Sequence, residues 1–317
     1  MEGYNDLIEA AKDRTGLSDF GDDAYREGLE ILVNALNREA NLNAAGDHAL
    51  RDRIILHLSQ RLQIEDWYRR HPEIDDEVIA APLFGVSLPR TGSSALSFLL
   101  SCDPNIRYLR VWESSQPCPP PSTVAGPDPR RGSAASVADG MMKRGSHTPT
   151  GIDGAMECQD LMALTFGSQT FQAFAQIPSF SDWLMDADLT TTYLYEKRAL
   201  KLLQWGEKPR PWRLKAPTHM LYMDALNTAF PDARFVMTHR DPTDVMLSVS
   251  VVYTSIIGNF TDSIDHRYIG ELNVRTWTEA MDRLIAFRER GNGHRFHDIH
   301  FKAMHKDPVG EVRGLYQ

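Results

Sequence analysis

The sequence predicts an α/β domain built on a parallel sheet with helices on both faces, preceded by a helical N-terminal extension. Three observations carry this reading. From about residue 80 onward, short apolar runs of strand type alternate with helical stretches. One such run, AAPLFGVSL at 80–88, leads through the turn PRTGSS into the apolar helix ALSFLLS. Before it, residues 1–78 place apolar residues three and four apart and show no strand pattern. The expected division is 1–78 as the extension and 79–317 as the α/β domain.

In order along the chain, LIEAAKDR, AYREGLEILVNALNREA and HALRDRIILHLSQRLQIEDWYRR read as the helices of the extension. Gly46-Asp47 is the expected breaker before the last of them. The helix after the PRTGSS turn is expected to end at Asp103-Pro104. Residues 116–133, rich in Pro, Gly and Ser, read as a loop or flap. Met156 to Trp205 reads as helical, with LMALTFGSQTFQAF and TTYLYEKRALKLLQW the clearest stretches. Strands are expected at PWRLKAP, ARFVMTHRDP and RFHDIHF. Between and around them lie the helices HMLYMDALNTAF, DPTDVMLSVSVVYTSI and WTEAMDRLIAFRER.

Composition narrows the function. The 317 residues carry 34 Lys and Arg against 43 Asp and Glu, a net charge of −9 that argues against a nucleic-acid-binding surface but leaves room for a local basic pocket. No apolar run is long enough to span a bilayer, and the acidic N-terminus lacks the basic start and apolar stretch of a signal peptide. A cytoplasmic protein is expected. Cys102, Cys118 and Cys158 are an odd number without a CxxC pair, which argues against a disulfide framework and a cysteine-built zinc site. Buried, inert cysteine is the preferred reading of each. His294, His297 and His300 suggest a metal, but positions three apart on a strand point to opposite faces, so no metal site is expected there.

Two segments suit anions. The first, Gly85 to Ser94, sits where a strand hands over to a helix, so free backbone N–H groups and the positive end of the helix dipole face outward. Gly92 permits close approach, Thr91, Ser93 and Ser94 offer hydroxyls, Arg90 adds charge, and Pro89 opens the turn. The Walker pattern is not met, because Ser93 stands where its lysine would be. The competing reading is an ordinary Gly/Ser turn. The second segment is FVMTHRDPTDVMLSVS, with Asp241 as N-cap and Pro242 at the first helical position. Arg240 then lies beside a helix N-terminus with Ser248 about two turns along, a pair suited to a phosphate monoester or, alternatively, to bridging the sheet edge.

Taken together, RTGLSDFGDD, LPRTGSS, DPNIRYLRVWESSQPCPPP and PWRLKAPTHMLYMDALNTAFPDARFVMTHRDPTDVMLSVS resemble the bacterial sulfotransferases that use 3′-phosphoadenosine 5′-phosphosulfate (PAPS). The resemblance implies a P-loop-like three-layer sandwich in which Pro89 to Ser94 hold the 5′-phosphosulfate and Arg240 and Ser248 the 3′-phosphate. Family members usually continue beyond the VRGLYQ at which this sequence stops, with a segment that helps enclose the nucleotide. The α/β domain is therefore expected to be C-terminally incomplete.

In sulfuryl transfer, as in phosphoryl transfer, the protein mainly positions the reactants and neutralises charge. Arg90 suits the leaving phosphate. Lys215, at the end of WRLK, matches the family's lysine-x-proline segment and is placed near the transferred group, the alternative being a lysine whose stem lies along the surface. Two candidates stand for the base. The resemblance points to Glu113 in RVWESS, while His219 in KAPTH has an imidazole suited to proton transfer near neutrality. Trp112, Phe166, Phe171, Phe174, Phe180, Trp183 and Tyr193 are expected mostly in the core, with a few lining an apolar acceptor pocket beside the proline-rich flap. The chemistry requires no metal. The expected partner is a small-molecule acceptor with a hydroxyl, with a homodimer left open. A P-loop kinase, or a protein of the same fold that binds nucleotide without turnover, are the alternatives.

Overall fold

In a computed structural model, the structure describes residues 3–132 and 151–317. The alternating segments form a five-stranded sheet in the order β2–β3–β1–β4–β5, and every pairing is parallel. The strands are β1 (Leu83–Gly85), β2 (Arg107–Tyr108), β3 (Trp212–Lys215), β4 (Arg234–His239) and β5 (Phe296–His300). Strand β1 is shorter than the apolar run 80–88 suggests, because Ala81 takes a positive φ before it and the chain turns away after Gly85.

Side-chain alternation along the strands divides the interior into two layers. Phe84, Leu214, Phe235 and Met237 enter the larger core. Leu83 and Val236 face the other way, onto Leu96 and Leu100 of helix α4 (Ser93–Ser101), Ile299 and Met304. Helices therefore cover both faces, as the alternating pattern requires. In β5, His297 and His300 stand three apart, while His294 lies in the turn before the strand.

The N-terminal segment forms helices α1 (Tyr4–Thr15), α2 (Arg26–Arg38) and α3 (Ala44–Arg70). Their apolar faces, including Leu7, Leu29, Leu32, Ile54 and Leu58, belong to the same core as Phe84 and Phe235. Arg61 of α3 is wholly buried, donating to Phe20 O at 2.7 Å and to Asp22 Oδ1 at 2.6 Å, with its guanidinium 4.1 Å from the Tyr195 ring. Buried Arg is tolerated here because it is paired and stacked.

Gly46-Asp47 does not break the chain. The break falls at Asn41 to Asn43, and Gly46 lies in the first turn of α3 with the Asn43 side chain accepting from its N–H at 2.8 Å. The glycine serves a close approach, since a Cβ on Gly46 would stand 2.1 Å from the Phe260 carbonyl oxygen. That carbonyl accepts from Asn43 N at 2.9 Å, which ties α3 to the segment following the helix Pro242–Ile257. LMALTFGSQTFQAF is likewise not one helix. It closes a short helix at Gln159–Met162 and a single 3₁₀ turn, then reverses at Phe166, whose φ is 60°. The second stretch does form the helix Thr190–Gln204. Among the described residues no helix is long and apolar enough to cross a membrane.

Gly46→Ala should lower stability by about 1–3 kcal/mol, the usual cost of forcing atoms into a close-packed contact. The urea midpoint should fall with an unchanged m value; an unaltered midpoint would show that the α3 contact with Phe260 is not as tight as described.

Candidate active site

Strand β1 ends at Gly85, and the chain from Val86 to Gly92 forms a turn over the carboxyl edge of the sheet. Val86 N donates to Val236 O at 3.0 Å, and Thr238 N donates to Ser87 Oγ at 2.7 Å, so the turn is fastened to β4. Thr91 Oγ1 donates to Leu88 O at 2.8 Å and lies 2.6 Å from Thr238 Oγ1. This hydroxyl, expected among the ligand donors, is buried and used to hold the turn. Arg90 and Gly92 take left-handed conformations, with φ of 65° and 90°. These two residues bring the chain around into α4, whose first N–H groups, from Ser93 on, have no intrahelical partner. Gly92 also allows the Phe301 ring to close on the turn, 3.1 Å from where a Cβ would stand.

The lysine absent from the turn arrives from the neighbouring strand. Lys215 ends β3 directly beside Gly85. Its Nζ donates to Ser94 Oγ at 3.0 Å and to Glu157 Oε1 at 2.7 Å. Lys215 is buried, so the alternative of a surface lysine is not what the fold builds.

The second anion segment takes the expected local form. Asp241 caps the helix Pro242–Ile257 by accepting from Thr243 N at 2.8 Å, and Pro242 opens it. The two anion segments meet at Arg90. Its Nε donates to Ser248 Oγ at 3.1 Å, and its carbonyl accepts from Arg240 Nη1 at 3.1 Å. Arg240 further lies 4.9 Å from the centre of the Phe301 ring and 3.4 Å from Asp244.

A cavity of about 310 Å³ opens beside the turn. Its polar end is lined by Pro89, Arg90, Ser93, Ser94, Lys215 and Glu157, and its apolar end by Phe174, Val249, Val252, Tyr253, Ile256 and Trp277. Arg53, also in the lining, stands 4.4 Å from the Phe174 ring and 3.5 Å from Asp160 Oδ1. Burial pushes the Asp160 carboxyl up, with Arg53 opposing. Of the aromatic residues expected near the site, Phe174 lines this cavity, while Phe166, Phe171, Phe180 and Tyr193 are buried. Trp112, with Gln116 and Arg130 of the proline-rich segment, instead lines an adjoining cavity of about 350 Å³ that shares Arg53 and Asp160. Ser133, the last residue of the expected flap, lies outside the described residues.

Neither sequence candidate for the base lines the 310 Å³ cavity. Glu113 is fully buried in the helix α5 (Val111–Ser115), where Arg107 grips its carboxylate from both sides at 2.9 and 2.5 Å. Arg110 adds its backbone N–H at 3.0 Å and a guanidinium nitrogen at 3.1 Å. All of that acceptor capacity is spent on structure. His219 turns inward, fully buried, with Nδ1 2.8 Å from the Tyr193 hydroxyl, and burial pulls its pKa down to about 3. The carboxylates that do face the cavity are Glu157 and Asp160, which sequence reasoning missed. Their segment, MECQD, has no spacing that distinguishes a site residue from a surface acid.

This donor set, the cations Arg90 and Lys215, the hydroxyls of Ser93 and Ser94 and a free helix N-terminus, suits a highly charged oxyanion, and the apolar lining suits an organic group beside it. A sequence model of the sulfotransferase family matches residues 82–317. The crystal structure of the sulfotransferase STF9 from Mycobacterium avium is similar, with 30% identity, a TM-score of 0.91 and coverage of 100% of this chain and 83% of that one. That of STF1 from Mycobacterium tuberculosis H37Rv has 29% identity and a TM-score of 0.87, over 99% of this chain and 88% of that one. No curated protein sequence matches the chain.

Glu113→Gln should leave the buried Arg107 with only the longer 3.5 Å contact to Glu207 as counter-charge and cost about 3–5 kcal/mol of stability. Turnover per folded molecule should stay within roughly threefold of the parent. A stable variant with a hundredfold loss of turnover would restore Glu113 as the base.

Proposed function

The chain belongs to the sulfotransferase family, and from that premise we propose that its donor is PAPS and its acceptor the hydroxyl of a small molecule. The observation that carries the proposal is the Lys215 ammonium 3.0 Å from Ser94 Oγ at the start of α4. It provides the lysine that the turn itself lacks, beside the free backbone N–H groups at the start of α4. A donor with its phosphosulfate on this turn has Arg90 and Lys215 beside the oxygen that must accept charge. The pairing of Arg90 with Ser248 and Arg240 supports the 3′-phosphate lying along the second segment, since the two anion segments adjoin.

Glu157 takes the role that Glu113 and His219 cannot fill. It faces the cavity and accepts from Lys215 Nζ at 2.7 Å, which orients its carboxyl. In the step proposed, the acceptor hydroxyl gives its proton to Glu157 as its oxygen bonds to sulfur. The bond from sulfur to the bridging phosphate oxygen breaks, and its electron pair stays on the phosphate beside Arg90 and Lys215. The products are the sulfate ester and adenosine 3′,5′-bisphosphate. Phe174, Val249, Val252 and Trp277 would receive the acceptor's apolar body.

The test is transfer of label from ³⁵S-PAPS to a panel of phenolic, sterol and glycolipid hydroxyls. Lys215→Ala should lower kcat by about 10²–10³ through lost charge stabilisation. Glu157→Gln should lower kcat by about 10²–10⁴ with a smaller change in the donor KM. Transfer that survives both substitutions would contradict the assignment.

A further inference from the structure

One residue beyond Glu157 the chain turns inward, and three side chains from three separate elements converge. They are Cys158, Glu196 on the helix Thr190–Gln204, and His219 in the 3₁₀ segment Pro217–Tyr222. All three are fully buried, and one ligand atom from each lies within 4.8 Å of the others. His219 Nε2 has no hydrogen-bond partner, and neither Glu196 oxygen meets an N–H or O–H donor, the Cys158 thiol being the group that faces the carboxyl. Buried polar groups left with a thiol or with nothing as partner are costly to a fold.

We propose that Cys158, Glu196 and His219 bind a zinc ion that braces the core behind the transfer site. The inference is independent of the donor and acceptor assigned above. The donor types favour zinc, since a thiolate, an imidazole and a carboxylate form a mixed soft and intermediate set. Bonds of roughly 2.0–2.3 Å to a shared ion would put ligand atoms about 3.3–3.6 Å apart, so the cluster would close on the ion by small side-chain movements, three protein ligands leaving the fourth position for a water. Charge balances as well. On binding, the thiol and the carboxyl release their protons to solvent, and one thiolate and one carboxylate neutralise the dication beside a neutral imidazole.

The surroundings fit such a centre. The Tyr193 hydroxyl lies 2.8 Å from His219 Nδ1 and occupies that nitrogen, leaving Nε2 for the metal. The Phe84 ring stands edge-on to the imidazole with 5.1 Å between centroids and shields it from water. Cys158 N donates to Lys215 O at 3.0 Å, so the ion would pin the segment that presents Glu157 to the end of the strand that presents Lys215. No CxxC or HxxH spacing announces the set, because its ligands come from three elements.

The test is metal analysis of the protein purified from zinc-supplemented culture, by plasma mass spectrometry. We expect about one zinc per chain. Cys158→Ser and Glu196→Gln should each lower it at least tenfold, while the exposed Cys102→Ser leaves it unchanged. Should the core variants fail to fold, the parent protein still decides. Refolded with cobalt(II), it should show a thiolate-to-cobalt charge-transfer band in the near ultraviolet, and Cys102→Ser should show the same band. Folded parent protein with less than about a tenth of a zinc per chain and no cobalt band would overturn the site, as would zinc fully retained by Cys158→Ser.

Discussion

The position of the Lys215 ammonium, between Ser94 and Glu157, is the constraint on which the rest of the site depends. It follows from sheet register. Strand β1 lies between β3 and β4, and Gly85 pairs with Lys215 on one side and Val236 on the other. A slip of one residue in β3 would turn the lysine to the opposite face of the sheet. The parallel arrangement gathers the carboxyl ends of three strands at one edge, where the uncapped N-terminus of α4 after β1 and the Asp241-capped helix after β4 both begin. Gly85 keeps that edge open, since a Cβ there would stand 3.3 Å from the Lys215 Cβ.

Arg90 joins the two halves of this edge. Its left-handed backbone is costly for a residue with a side chain, but it is held by Arg240 on its carbonyl and by Ser248 on its guanidinium. One residue thus couples the turn that suits a phosphosulfate to the helix that suits a phosphate. The Phe301 ring, packed against Gly92 and beside Arg240, links β5 and the chain after it to the same junction.

What could be read from the sequence was local. The strand–turn–helix at 83–101 and the cap at Asp241-Pro242 are signalled by neighbouring residues and fold as read. The amphipathic period likewise located the three N-terminal helices. Long-range partners escaped. Gly46 looks like a breaker until the Phe260 carbonyl is brought against it, and Glu113 looks like a base until Arg107 closes on it from the adjacent strand. His219 follows Lys215 by a few residues, yet the 3₁₀ turn between them sends one side chain to the core and the other to the cavity. Glu157 carries no local signal, and it is the fold that sets it against Lys215 in the cavity.

The most direct test of the central claim is calorimetric titration with adenosine 3′,5′-bisphosphate, with magnesium ATP titrated in parallel. An edge built from Arg90, Lys215, Arg240 and Ser248 predicts bisphosphate binding at least tenfold tighter than ATP, weakened in Arg240→Ala. Tighter binding of ATP, or bisphosphate binding indifferent to Arg240, would contradict the account.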